Sequence, residues 1–155
     1  MELRRYQTSD VAALVAIYRD AVLGTGATAY SPQQVAAWAT FPADLAVFGH
    51  QLAQGITLVA LDEGQPVAFG QLHPVDHVAF LYTASRQGRR GYATAIYQQL
   101  EAAARQAGAP VLSTDASRLS KPFFLKMGFE VVGREEVERQ GVLLERFGMR
   151  KTLGQ

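Results

Sequence analysis

The sequence predicts an α+β domain, a mixed and mostly antiparallel sheet with helices on its faces. Three observations lead there. Residues 56–83 hold three short apolar runs separated by turn residues, which reads as an antiparallel meander. Residues 77–114 then give a strand pattern, a helical pattern and a second strand pattern, a crossover of the kind that joins parallel strands. Two long strand patterns, Glu130–Arg139 and Val142–Arg150, close the chain and meet at Gln140-Gly141. With 155 residues, 48% of them apolar, the chain suits one domain with one core, residues 1–155.

Taken in order, Glu2–Gln7 reads as a short strand. Thr8 or Ser9 is placed to cap a helix whose apolar stripe is Val11, Leu14, Val15, Tyr18, Ala21 and Val22. The stretch 24–30 breaks it. Ser31 and Gln34 form a capping-box pattern with Pro32 at the first helical position, so a short helix through Trp38 follows. Residues 41–55 give no clear pattern. Ile56–Leu61, Pro66–Leu72 and His77–Thr83 are the three strands of the meander. Ala93, Ile96, Tyr97, Leu100 and Ala104 share one face of the next helix, with Gly108 beyond its end. Val111–Thr114 is a strand. Lys121–Met127 is a short helix that tolerates Pro122 in its first turn and stops at Gly128.

Composition narrows the function. A formal net charge of +1 lacks the basic excess of a nucleic-acid binder, so no nucleic-acid partner is expected. The absence of cysteine removes disulfides, cysteine-based zinc sites and any acyl-cysteine intermediate. The N-terminus lacks a signal-peptide pattern, and no run approaches the ~20 apolar residues of a membrane span. A cytoplasmic protein without a membrane partner is the expectation. His73, Asp76 and His77 share a turn, but Pro74 breaks the helical spacing that such metal sites use, so no metal is expected.

The segment 85–94, Ser-Arg-Gln-Gly-Arg-Arg-Gly-Tyr-Ala-Thr, joins a strand to a helix. A helix N-terminus offers unpaired N–H groups and a positive dipole end, which together make an anion site. Gly91 and Ala93 let a ligand approach the backbone, and Arg86, Arg89 and Arg90 add positive charge. This chemistry suits a pyrophosphate; a basic turn with ordinary glycines is the plainer alternative. The Gly-Lys-Ser/Thr of a P-loop is absent, and the preceding meander is not the parallel start of a dinucleotide fold.

Gly91 and Ala93 fill the two small positions of motif A of the GNAT acetyltransferases, Gln/Arg-x-x-Gly-x-Gly/Ala, which this loop resembles. The first position falls on Gly88, a departure, with Gln87 one residue earlier. The run 121–129, Lys-Pro-Phe-Phe-Leu-Lys-Met-Gly-Phe, resembles motif B. Residues 30–34 with Trp38, together with Ala116-Ser117, are similar to the YafP-like branch of that family.

The resemblance implies a GNAT fold of six to seven strands and about four helices, with the fourth and fifth strands splayed around acetyl-coenzyme A. It implies pantetheine contacts at Leu81, Tyr82, Thr83 and Ser117. Pyrophosphate contacts would come from Gly88, Arg89, Arg90, Gly91, Tyr92, Ala93 and Thr94. The acetyl group would pass directly to a primary amine on a small molecule or peptide. The family's strand-four base falls eleven residues before Gly88, on His77. A histidine side chain accepts a proton near neutrality, with a reference pKa of ~6.5; a solvated hairpin-edge histidine is the other reading, and His73 and Asp76 are alternatives. The family's motif B tyrosine, which protonates the departing thiolate, is Phe124 here and cannot donate. Ser117 is placed to order a water for that purpose, or simply to cap a helix. Tyr30, Trp38 and His73 would line the acceptor pocket. A non-catalytic acyl-coenzyme A sensor on the same fold is the alternative function. The acceptor is not readable, and a homodimer stays open.

Overall fold

The computed structural model describes residues 1–88 and 90–154. Seven strands form one sheet: β1 (Glu2–Arg5), β2 (Ile56–Asp62), β3 (Gln65–Leu72), β4 (His77–Thr83), β5 (Val111–Ala116), β6 (Glu130–Arg139) and β7 (Val142–Thr152). Their spatial order is β1-β2-β3-β4-β5-β7-β6, with β4–β5 the one parallel pair. Five α-helices cover it: α1 (Val11–Thr25), α2 (Pro32–Ala39), α3 (Leu45–Leu52), α4 (Tyr92–Gln106) and α5 (Lys121–Lys126). The sheet and the crossover follow the sequence reading, with one helix more.

That extra helix is α3, which fills the stretch that showed no pattern. Asp44 caps it, its carboxylate accepting from the N–H groups of Ala46 and Val47. Phe48 and Leu52 are its buried positions, one turn apart. The start of α1 also differs from expectation. Residues Thr8–Asp10 form a 3₁₀ turn, and neither Thr8 nor Ser9 caps the helix. Asp10 is buried instead, bonded to both guanidinium nitrogens of Arg4 and to the Gln7 N–H. The helical run Thr8–Thr28 is long and apolar enough by composition to match a membrane span, contrary to expectation. Its Leu14, Val15, Ile17, Tyr18 and Val22 lie buried against the sheet. The capping box at Ser31 and Gln34 forms as expected.

Each face of the sheet carries its own core. Helix α4 and Phe124 and Phe129 cover one face. Helices α1, α2 and α3 cover the other, where Phe48, Phe69 and Phe80 meet edge to face or tilted. Helix α4 approaches β3 closely enough that a Cβ on Gly70 would stand 2.7 Å from Cγ2 of Ile96. Only glycine fits there.

Glu101 ties α4 to β7. It accepts from the Tyr97 hydroxyl at 2.5 Å, from Arg105 Nε at 3.0 Å and from Lys151 Nζ at 2.7 Å. Burial works against its charge, but these bonds prevail and hold its carboxyl at about 2. Because that value lies below the ordinary 4.5, the carboxylate contributes stability above 4.5 that is lost as pH falls through about 2. Glu101→Gln should therefore lower Tm at pH 7. The gap between wild type and variant should shrink between about 4.5 and about 2 in thermal melts across that range.

Candidate functional site

Strands β4 and β5 pair only at their starts. His77 stands opposite Ser113 and Val78 opposite Thr114; beyond these no register continues. Cross-bonds fasten this end: Ser113 N donates to the Asp76 carbonyl at 2.9 Å, and Thr114 Oγ1 to the Val78 carbonyl at 2.9 Å. On its other side β4 pairs with β3, where the register skips Ala79 between Leu72↔Val78 and Gln71↔Phe80. Ala79 is thus the extra residue of a bulge, which bends the strand. The edge from Ala79 to Thr83 faces a gap instead of a neighbour, and unpaired backbone groups on such an edge require partners.

The gap opens into a cleft of about 430 Å³, a size suited to a small-molecule site. Aromatic rings form much of its wall, among them Tyr18, Tyr30, Trp38, Phe80, Tyr82 and Phe124. Burial pushes the Tyr18 and Tyr30 phenols above their ordinary range and the Tyr82 phenol up to about 12, so these hydroxyls stay protonated near neutrality. Glu145 also reaches the cleft, but Arg118 and Arg134 bond it and hold its carboxyl below the usual range.

The expected anion loop lies outside the cleft lining, where α4 begins. Gly91 precedes the helix with φ +85°, a conformation that disfavours any residue with a Cβ. Among the described residues no side chain caps the helix start, which leaves its first N–H groups without a side-chain partner there. Tyr92 buries its side chain in the core and contributes only backbone to this surface. Gly88, Ala93 and Thr94 flank it, and Arg90 is exposed. Arg89 lies outside the described residues. The Gln87 Oε1 is buried with no partner among the described residues. Asp20 of α1 anchors the loop's base, accepting from Ser85 N at 2.7 Å and from Ser85 Oγ.

His77 lines the cleft at the fastened end of the gap. Its Nδ1 lies 2.8 Å from Ser113 Oγ, and its Nε2 lies 3.8 Å from Asp115 Oδ2. His73 is exposed and does not line the cleft, so the structure separates it from the other expected pocket residues. Leu81, Tyr82 and Thr83 line the cleft along the unpaired edge. Ser117 and Ser120 bond one another across the start of α5, beside Phe124. Sequence reasoning missed Ser113, Asp115, Ser120 and Asp20. Ser113 and Asp115 do carry a signal, since residues two apart on a strand share a face; Asp20 and Ser85 lie 65 residues apart and carry none.

Residues 26–153 match the acetyltransferase (GNAT) domain family. The chain belongs to that family. It is 34% identical to the uncharacterized N-acetyltransferase YafP of Escherichia coli (strain K12), over 97% of this chain and 95% of YafP. Its fold superimposes on a GCN5-related N-acetyltransferase from Rhodopseudomonas palustris with a TM-score of 0.94 and 34% identity, covering 98% and 95% of the two chains. The acetyltransferase YncA of Salmonella typhimurium, solved with acetyl-coenzyme A, shares the fold at a TM-score of 0.69 and 19% identity, over 100% and 95%. Among the described residues, the one parallel strand pair is the pair that parts, as the resemblance implied.

Gly91 tests the loop. Gly91→Ala should cost ~1–2 kcal/mol in stability through its left-handed backbone. Gly91→Glu, adding a negative charge where an anion would meet the helix start, should also abolish coenzyme A binding measured by calorimetry.

Proposed function

We propose that this enzyme transfers the acetyl group of acetyl-coenzyme A to a primary amine by direct attack. The observation that carries the reading is the free edge of β4 from Ala79 to Thr83, running from the cleft toward the uncapped start of α4. A pantetheine amide chain can bond that edge as an added strand does. The helix start and the arginines beside it suit a pyrophosphate. That the Salmonella protein holds acetyl-coenzyme A on the same fold supports this choice of donor. Acetyl-coenzyme A supplies an activated thioester; the remaining chemistry falls to the protein's own groups.

Backbone N–H groups at the Ala79 bulge are placed to polarise the thioester carbonyl. The base is His77, and its tautomer follows from its neighbours. Ser113 Oγ donates its proton to the Asp76 carbonyl at 3.2 Å, so its oxygen is left to accept from His77 Nδ1–H. Nε2 then carries the lone pair. It takes a proton from the amine as the C–N bond forms and the C–S bond breaks, and Asp115 at 3.8 Å steadies the imidazolium. The Ser113–His77–Asp115 arrangement thus orients a base at the fastened end of the cleft.

The acceptor side is walled by rings, and its Glu145 is already bonded by two arginines. This lining suits an amine on a compact apolar body. It does not suit a polycation, which requires unspent carboxylates.

Release of free thiol across a panel of amines tests the reading, with the transferase expected to release thiol and a sensor expected only to bind. His77→Ala should lower kcat ~10²–10⁴-fold with acetyl-coenzyme A affinity nearly unchanged. Raising the pH should restore part of the rate, because more of the amine is then neutral. His73→Ala should have little effect. Equal, small effects from both substitutions with an unchanged pH profile would remove His77 from the role.

A further inference from the structure

The reaction proposed above ends with a thiolate that must acquire a proton, and His77 has been assigned to the amine. Resting on that reading, we infer that Tyr30 donates this proton, from the opposite wall of the cleft. The thioester lies against the Ala79 bulge on one side. The other side is formed where the chain leaves β5 at Ala116 and turns through Ser117. Tyr30 reaches that turn from α2's side of the sheet. Its oxygen accepts from the Arg118 N–H at 2.8 Å.

The hydroxyl's own donation is free to be redirected. Among the described residues it meets the Glu145 carbonyl at 3.4 Å, with the Ser117 hydroxyl also close by, and a long contact of this kind is displaced by a nearer acceptor. Of the other phenols lining the cleft, Tyr82 packs against Tyr18 and Phe69 with its pKa pushed up to about 12 by burial, and several remaining hydroxyls are committed or chemically weaker. Tyr18 donates to the Trp38 carbonyl at 3.2 Å, and Thr114 to the Val78 carbonyl at 2.9 Å. Ser117 and Ser120 satisfy each other, and an aliphatic hydroxyl is a far poorer acid than a phenol. Phe124 has no proton to give.

The surroundings also stabilise what remains after transfer. The Arg118 guanidinium stands 5.0 Å from the centre of the Tyr30 ring, and the Arg118 N–H already points at the oxygen. The step balances: the C–S bond breaks with its electron pair on sulfur, sulfur takes the Tyr30 proton, and the phenolate takes a proton from water before the next turnover. The same hydroxyl, bonded to a bound thiolate, lowers the pKa of coenzyme A's thiol in the product complex.

Tyr30→Phe keeps the ring, its edge-to-face packing on Trp38 and its contact with Arg118, and removes only the hydroxyl. Two readouts test it. The first is kcat, which should fall about 10²-fold with the KM for acetyl-coenzyme A little changed. The second needs no turnover. The ultraviolet absorbance of the thiolate of coenzyme A bound to the protein, titrated with pH, should show its midpoint about one pH unit higher in Tyr30→Phe than in wild type. Adding Phe124→Tyr to Tyr30→Phe places a phenol on the cleft wall beside Ser117 and should recover part of both losses. An undiminished kcat with an unmoved midpoint overturns the assignment. A wild-type protein that releases no thiol with any amine overturns the transferase reading instead, and the titration midpoint then decides the contact between Tyr30 and sulfur by itself.

Discussion

The parting of β4 from β5 is the constraint on which the rest of this protein is arranged. A parallel pair in mid-sheet ordinarily bonds along its length, because every buried N–H and carbonyl needs a partner. Here the pair is fastened over two residues and then opens, leaving an edge of β4 without a strand partner among the described residues. Strand β5 stays anchored on its other edge, where it pairs with β7 from Val111 to Ala116. Most of the opened edge belongs to β4, beside the Ala79 bulge.

Both cores serve that opening. Helix α4 is pressed onto β3 at Gly70 and bound to β7 through Glu101, so its N-terminus is held in a fixed position beside the free edge. On the opposite face, α1 contributes Tyr18 and Val22 to the cleft wall and Asp20 to the base of the anion loop. One helix therefore touches both the cleft wall and the loop before α4. A Cβ on its Gly24 would lie 2.6 Å from the Ser85 side chain, so α1 and the loop meet in close contact.

The electrostatics divide the cleft by task. His77 is flanked by a hydroxyl and a carboxylate, which suits a group that gains a proton. Tyr30 is flanked by a backbone N–H and a guanidinium, which partly offset the effect of its burial. The two stand on walls contributed by different parts of the chain and share no bonding partner among the described residues.

Local pattern was enough to identify the meander, the crossover, the loop before α4 and the capping box at Ser31, because each is decided by residues within a few positions of one another. The small residues at 91 and 93 and the histidine that opens β4 were legible on the same ground. Helix α3 was not, although Asp44, Phe48 and Leu52 carried its signal, because Gly49 within it and Pro42 and Gly55 around it weaken the helical pattern. The cap expected at Thr8 or Ser9 gave way to a 3₁₀ turn because Asp10 finds a stronger partner in Arg4, across the strand. What the sequence by itself determined was the set of elements apart from α3, and the glycine-bearing loop before α4. What only the tertiary structure decided was the orientation of the side chains at the gap: His77 with Ser113 and Asp115, Ser85 with Asp20, and Tyr30 against Arg118, 88 residues away. Such contacts depend on which strands lie side by side and where their pairing stops, and no periodicity along the chain records that.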